Sequence, residues 1–474
     1  MGANSPFNPD PGFAFDRPTT MRFRILGVAC SLAVLIYVQR LVTVVVLPDL
    51  QADLHLSGLQ SGLLQAAFLL AYGLFEVPCG LLGDRLGVRH LLVILIIGWS
   101  IMTGALGLVG ALPHVEGLRF GYLLGVRFLF GMFQAGAFPS ISRMMTDWMP
   151  MRNRALAQGL IWMSTRVGGA LQLLLVGLIK WTDGWQNALW VVAGLGVVWA
   201  AAFWPWFRNR PEEKSGVNSA EAALIIAGRP ARPIGHGNVP WARIFRSRSV
   251  LCLSLMYGFG GFAANFYTTL LPKYLKDERS LSDATMGLLS SLPFACGIVA
   301  CAGGGFFSDW IIRRTGNRKW GRRLSGSVGM LLGGLAWPFL NHAPNTLILG
   351  ILVCVIFFLN DLSMGPAWAS CADIGERYAG TIGGAMNMIG SLMGAMGNIV
   401  AGSLFGKEFI VSSPWTSGGG TYLLHGTDLV FLIYGASFLV AALCWQGVDV
   451  TRTLAGKADS ESPQVAMVGI VDAD

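Results

Sequence analysis

Arg40, Glu76, Arg127, Arg166 and Asp361 stand in the middle of long apolar runs. A charged side chain at a bilayer centre costs ~2.5–3.5 kcal/mol, so five unpaired ones would cost roughly 12–18 kcal/mol. That rivals the net stability of a whole domain, about 5–15 kcal/mol. These residues must pair with one another or face a water-filled cavity. The chemistry open to them is recognition and proton carriage. Arginine's planar fork grips a carboxylate through two N–H donors, and aromatic or hydroxyl groups can then hold a polyol chain. Helical spacing gathers polar companions around them. Tyr37 and Arg40 share a face at i,i+3, and Tyr72 lies one turn before Glu76. Arg127, Gly131 and Gln134 form one stripe, and Trp162 and Arg166 another. Asp361, Gly365 and Trp368 form a third, on a helix that Pro366 is set to kink. Three arginines against two acids leave a positive excess that an anionic substrate would balance.

The elements that position these residues follow from composition. Of 474 residues, 53% are hydrophobic and 13% charged, against about 25% charged in a soluble domain. Mean hydropathy is +0.56. So few charges could not solvate several soluble cores, and the 62 glycines suit close helix packing in lipid. The net charge of +8 does not point to nucleic acid, because no basic patch is interleaved with exposed aromatics. The eight cysteines lie in or beside apolar segments without a CxxC, which reads as free thiols. The polar, Pro-rich start, MGANSPFNPDPGFAFDRPTT, is not a cleavable signal peptide.

Apolar runs long enough to span a bilayer occur near 24–48, 59–83, 90–110, 120–143, 155–179 and 186–206. A second set lies near 249–272, 284–308, 323–341, 345–370, 379–404 and 428–446. They are continuous rather than alternating, so helices are expected and not a barrel. Most of the 34 Lys and Arg fall in the tails, the central linker and alternate loops; Arg119, Lys180, Lys273, Lys276, Arg279 and Lys407 fall on the other side. That asymmetry predicts a cell-membrane protein with both termini cytoplasmic. The halves also repeat. One ungapped offset carries Leu56-Ser57 to Leu281-Ser282, Gly80 to Gly305, Asp84 to Asp309 and Arg89 to Arg314. The expected organisation is a cytoplasmic tail (1–20), a six-helix bundle (21–208), a cytoplasmic linker (209–247), a second six-helix bundle (248–447) and a cytoplasmic tail (448–474). Transporters built from two such repeats place their substrate at the repeat interface.

The repeated loop carries a family resemblance. Gly80-Leu81-Leu82-Gly83-Asp84-Arg85-Leu86-Gly87-Val88-Arg89 resembles the signature between helices 2 and 3 of the major facilitator superfamily. Gly305 to Asp309, with Arg313 and Arg314, is similar to a degenerate second copy. Tyr37-Val38-Gln39-Arg40, Ala137-Phe138-Pro139, Trp148-Met149-Pro150, Arg210-Pro211-Glu212-Glu213 and Gly383-Gly384 with Asn387 resemble the anion:cation symporter branch, which includes sugar-acid transporters. The resemblance covers residues 21 to 447. It implies an all-α membrane protein of twelve transmembrane helices in two pseudo-symmetric six-helix bundles, the major facilitator fold. Substrate contacts carried over from sugar-acid transporters are Tyr37, Arg40, Tyr72, Trp368 and Asn387; Arg127 and Arg166 join them on charge. Gly80, Asp84, Arg85, Arg89, Gly305 and Asp309 are expected to form a gating latch, with arginines pairing to acids across the bundles.

One departure bears on mechanism. Proton-coupled sugar-acid members carry an acid just before the helix 1 arginine and another in helix 4. Here those positions are Gln39 and Gln134, which do not titrate. The coupling role then passes to Glu76 or Asp361, or both acids only neutralise Arg127 and Arg166. The leading function is secondary transport of a small organic anion, a hexuronate, aldonate or similar carboxylate, by alternating access with protons as the coupling ion. A same-fold drug exporter fits less well, because the stretch Ser164 through Gly169 lacks a GPxxGG-type motif. A non-transporting membrane sensor is the rival from another class. An enzyme is not expected: the histidines lie in loops or near helix ends, and there is no HExxH, Ser-His-Asp set or GxxxxGK[ST]. No cofactor or metal is implied, and the partners are substrate, protons and membrane lipids, with no nucleic acid; the sequence leaves the oligomeric state open and is compatible with a monomer.

Overall fold

The computed structural model describes residues 17–113, 115–150, 154–226, 241–375, 379–412 and 421–452. Every apolar run expected to span is helical. In chain order the helices are α1 (Met21–Val45), α2 (Leu47–Leu54), α3 (Gly58–Leu86), α4 (Val88–Leu106), α5 (Glu116–Ala135), α6 (Ala137–Trp148), α7 (Arg154–Ala170), α8 (Gln172–Trp181), α9 (Trp185–Trp206) and α10 (Ser219–Ile226). They continue as α11 (Trp241–Arg246), α12 (Arg248–Thr269), α13 (Leu271–Lys273), α14 (Asp283–Thr315), α15 (Arg318–Ala336), α16 (Thr346–Leu362), α17 (Met364–Gly375), α18 (Ala379–Leu404) and α19 (Gly426–Trp445). A two-stranded antiparallel hairpin, β1 (Glu408–Ser412) with β2 (Thr421–His425), joins the last two helices.

Among the described residues, eight helices are long and apolar enough to cross a membrane, or nine if α7 and α8, bent by 41°, form one span. The other expected spans are α5–α6, α15 and α18. They are helical but diluted by Arg119 and Arg127, by the basic start of α15, and by the glycines and asparagines of α18. Large apolar side chains lie bare on the outer faces, Leu174, Val198, Leu347 and Leu443 among them. On a soluble protein such faces would be a liability; here they suit lipid.

Prolines explain most of the breaks. A proline has no N–H to donate, and its ring collides with the carbonyl four residues back. Accordingly α1 ends just before Pro48, α5 before Pro139, α12 before Pro272 and α16 before Pro366, and each proline sits in the first turn of the next helix. The kink expected at Pro366 is thus a break at Ser363. These breaks pair up across the sequence repeat, the first run with the seventh and the fourth with the tenth. Pro78, Pro205 and Pro293 remain inside continuous helices.

The chain forms two compact units, Met1–Val46 with Leu74–Gly235 and Leu47–Gly73 with His236–Asp474. In the first, α7 lies against α1 at Gly168, where an added Cβ would come within 2.8 Å of the Tyr37 Cβ. Close backbone approach of this kind drives helix association in lipid, where no hydrophobic effect operates between helices. Glu221 of α10 folds back on the start of α1. Its buried carboxylate accepts from the backbone N–H of Met21 (3.1 Å) and of Arg22 (3.0 Å), from the Thr19 hydroxyl and from the Arg22 guanidinium (3.0 Å). It therefore satisfies helix-start donors that have no partner within the helix.

The second unit repeats that closure. Beyond α19, the Asp449 N–H donates to the hydroxyl of Ser249 near the start of α12 (3.0 Å), and the Asp449 carboxylate pairs with Lys319 (3.0 Å). Its core is aromatic: Phe266, Tyr267, Trp337, Phe431 and Tyr434 are all fully buried, with neighbouring ring centroids 5.2–6.0 Å apart. Sequence boundaries place residues 47–73 with the first bundle, whereas contact groups them with this unit. Glycines are the reason. A Cβ on Gly58 would sit 2.8 Å from the Gly402 carbonyl oxygen, and one on Gly62 2.5 Å from that of Asn398, so the first half of α3 and α18 meet backbone to backbone. On α2, Asp49 is paired with Lys276 at 2.5 Å.

Candidate functional site

In the first unit the candidate residues centre on Arg40. Its Nε donates to the Gln134 side-chain oxygen at 2.8 Å, and Gln134 in turn donates to the Ile36 carbonyl at 3.2 Å. The guanidinium also lies over the Tyr37 ring, 5.1 Å from its centroid, in the geometry of a cation–π contact. Tyr37 is itself buried between α1 and Gly168 of α7. Thus the i,i+3 pair read from sequence is formed, and the helix 4 amide that stands where relatives carry an acid orients the arginine.

Arg127, seven residues before Gln134 on α5, is fully buried, with its guanidinium 5.3 Å from the Phe130 centroid. It feels the positive charge of Arg40. Arg166 is half-buried on α7, one turn after Trp162, whose indole stacks on Phe138 at 5.1 Å and 7°. Glu76 is buried in the second half of α3, where Phe75 meets Phe128 edge-on at 6.1 Å and the Cys79 thiol reaches the Met132 carbonyl. Glu76 thus shares its packing layer with α5.

Gln39 has a role that residue type alone does not reveal. It is fully buried, donates to Ser100 Oγ (3.1 Å) and to the Val192 carbonyl (2.9 Å), and accepts from the Trp99 indole. Gln39 therefore ties α1 to α4 and α9, while its neighbour Arg40 turns to α5. Only the helical angle between consecutive residues hints at this split.

The second unit holds the remaining candidates. Asp361, the second-to-last residue of α16, is fully buried. It accepts from Asn360 Nδ2 at 3.1 Å and lies 3.7 Å from the Cys301 thiol of α14. The break that Pro366 imposes brings the Leu362 carbonyl against Gly304, leaving no room for a Cβ there. Trp368 on α17 meets Tyr257 of α12 edge-on at 6.4 Å, and its ring covers Gly383 of α18, one turn before half-buried Asn387. Tyr72 is buried on the first half of α3 beside Phe68, 5.8 Å between centroids. Tyr257 was not among the candidates; its only sequence signal is an aromatic residue on a glycine-rich helix.

The two copies of the signature loop are engaged differently. In the first, Gly80 has open space around it, and the side chains of Asp84 and Arg85 lie outside the described residues. Arg89 is expected to meet an acid, but its guanidinium donates twice to the Trp204 carbonyl (2.9 and 2.7 Å) and lies over the Trp204 ring. In the second copy Gly305 packs against Gly365, and Asp309 pairs with Arg322 at 3.0 Å. Arg322 also pairs with Asp373 (3.2 Å), which binds Arg318 as well (2.5 Å). Asp373 was not anticipated, because it lies some sixty residues further on with nothing to mark it in the repeat.

Comparison with known proteins agrees with this architecture. Residues 29–398 match the Major Facilitator Superfamily. A probable sulfoacetate transporter of Cupriavidus necator is 31% identical over 89% of this chain and 92% of its own. The hexuronate transporter of Bacillus subtilis is 27% identical over 83% and 89%. Among solved structures, a D-xylose–proton symporter superposes with a TM-score of 0.67 over 90% of this chain and 98% of its own, at 16% identity. A bacterial homolog of the human lysosomal transporter Spinster reaches 0.69 over the same shares, at 19%. With its helices, its repeated loops and these matches, the chain belongs to the major facilitator superfamily.

Proposed function

We propose that the protein is a secondary active transporter that moves a small organic anion across the cell membrane by alternating access, with both termini cytoplasmic. The observation that carries this reading is the Arg40 arrangement. A half-buried guanidinium stands on the Tyr37 ring and is oriented by Gln134, with no need of an acid at positions 39 or 134. Arginine held this way is a preorganised cation whose fork matches a carboxylate, so little ordering cost accompanies binding. The relatives named for sulfoacetate and hexuronate transport, and others named for galactarate, glucarate and galactonate, support the same class of cargo. We assign Tyr37, Arg40, Arg127, Arg166, Tyr72, Trp368 and Asn387 to substrate. The loops at 80–89 and 305–314 are assigned to gating.

Protons are the proposed coupling ion, and Asp361 their carrier. It is a fully buried carboxyl at the break between α16 and α17, whereas Glu76 lies in the unit that carries Arg40, Arg127 and Arg166. Glu76 is then the counter-charge. Uptake of labelled sugar acids into proteoliposomes, with a pH gradient and a voltage imposed separately, tests both assignments. Transport is expected for wild type and lost in Arg40→Ala. Full transport by Arg40→Ala overturns the clamp, and indifference to the pH gradient overturns proton coupling.

A further inference from the structure

We infer that the end of α14 is a binding site for an anionic phospholipid, with Arg313 and Arg314 on its phosphate and Phe306, Trp310 and Trp320 against its glycerol and upper acyl chains. α14 runs for 33 residues, Asp283–Thr315, about 50 Å at the helical rise per residue. The hydrocarbon layer is ~30 Å thick and the whole bilayer about 40–45 Å. About twenty residues cross the hydrocarbon, so the last turns of α14 stand in the headgroup layer. There, helical spacing places Phe306, Trp310, Arg313 and Arg314 on one face. Phe306 is 66% exposed, Trp310 43% and Trp320, in the first turn of α15, 51%. Both arginines are exposed as well. The Arg313 guanidinium lies 5.8 Å from the Phe306 centroid, and that of Arg314 lies 5.6 Å from Trp310. Exposed rings beside cations suit the boundary between lipid and water, where one end of a side chain is apolar and the other wet.

Neighbouring basic residues are spent differently. Arg318 and Arg322 pair with Asp373, Arg322 also with Asp309, and Lys319 with Asp449, while Arg323 donates to the Val448 carbonyl at 2.6 Å. The guanidiniums of Arg313 and Arg314 make no hydrogen bond or ion pair among the described residues. The first copy of the repeat differs too. The offset that relates the halves carries Leu81 to Phe306, Arg85 to Trp310, Val88 to Arg313 and Arg89 to Arg314. In that copy α3 stops at Leu86, and Arg89 lies on α4, where it donates to the Trp204 carbonyl. In the second copy α14 continues to Thr315, and Gly316 ends it at φ +66°. Two rings and one arginine thus appear where the first copy has none, and the counterpart of Arg89 is left exposed. A ring face leaves the guanidinium N–H donors available, and their fork matches phosphate oxygens. Arginines in a last turn also complement the helix dipole, but that effect requires neither the rings nor their exposure.

Native mass spectrometry of the purified, delipidated protein tests the site. The probes are dioleoylphosphatidylglycerol, dioleoylphosphatidylcholine and glycerol 3-phosphate, and the unfolding midpoint without lipid checks that each variant is folded. Wild type is expected to bind the anionic lipid about 25-fold more tightly than the zwitterionic one, about fivefold for each arginine. Added salt should narrow that gap. The double variant Arg313→Gln, Arg314→Gln should lose the preference, and Arg313→Lys, Arg314→Lys should keep most of it. Phe306→Leu with Trp310→Leu should weaken both lipids. A control pair, Arg246→Gln with Arg248→Gln, removes the same charge from exposed positions at the start of α12 and should leave the preference in place. Equal binding of the two lipids by wild type overturns the site. So does an equal loss of preference in both Gln pairs, which would assign it to general surface charge. Glycerol 3-phosphate binding as tightly as the anionic lipid would overturn the lipid as occupant.

Discussion

In the first unit, rings lie beside the deep arginines; in the core of the second, rings pack on one another. Tyr37 underlies Arg40 and Phe130 lies beside Arg127, whereas Phe266, Tyr267, Trp337, Phe431 and Tyr434 form a closed cluster of edge and tilted contacts. Charge is divided the same way. Three deep arginines and Glu76 stand in one unit, and among the described residues Asp361 is the one deep charge of the other. A ring face offers a cation partial compensation without neutralising it. Rings packed on rings give the second unit an aromatic core. Under the proposed function, the difference would place the arginines that meet the anion in the first unit and the proton carrier in the second.

That division can be broken experimentally, and the largest effect is expected at Arg40. Arg40→Ala removes a charge-assisted clamp worth about 1.5–3 kcal/mol, so uptake at limiting substrate should fall roughly 10–150-fold. A fall smaller than about threefold would return Arg40 to a purely structural role. Next comes Asp361→Asn, which retains size and hydrogen bonding but not titration. Accumulation driven by a pH gradient should disappear, while exchange of labelled for unlabelled substrate continues. If Glu76→Gln shows that split and Asp361→Asn does not, the assignment of carriers is reversed.

The two terminal closures sharpen the comparison at lower amplitude. Glu221→Ala leaves two backbone donors and Arg22 without their buried carboxylate. It should lower the stability of the purified protein by about 1.5–3 kcal/mol, seen as a drop in the unfolding midpoint in detergent. Asp449 makes the equivalent closure with weaker means. Burial raises its pKa, but hydrogen bonds from Thr451 and Lys319 and the Lys319 charge outweigh that and bring it down to about 2. A depressed carboxyl stabilises the fold above its unfolded pKa and loses that contribution as pH falls through the folded one. Acidification from about pH 4 to about pH 2 should therefore cost wild type slightly more than Asp449→Asn. Identical acid profiles for the two proteins would remove Asp449 from the closure.

Much of this was legible in the residues. Apolar runs placed the helices, because a chain in hydrocarbon must satisfy its own backbone and has few other ways to do so. Pro48, Pro139, Pro272 and Pro366 mark the breaks, since their effect is covalent and local. The pairing of Tyr37 with Arg40 followed from helical spacing. The repeat from Gly80 to Arg89 and from Gly305 to Arg314 announced two related halves. What could not be read was partner choice across helices. Arg89 meets a carbonyl rather than an acid, Asp373 joins Arg322, and Gln39 and Gln134 bind to different helices despite being the same residue type.

The sequence by itself determined where charge lies along the chain and which segments cross the membrane. Both depend on covalent order and on transfer between water and lipid. Only the tertiary structure decided that Gln134 aims Arg40, that Glu221 closes on α1, and that residues 47–73 pack with the second unit through Gly58 and Gly62. Within a bilayer, helices associate through close packing and individual hydrogen bonds, with no hydrophobic gain to set them apart. Those choices rest on which surfaces fit at distances of a few ångströms, and residues far apart in the chain meet only when the whole bundle is assembled.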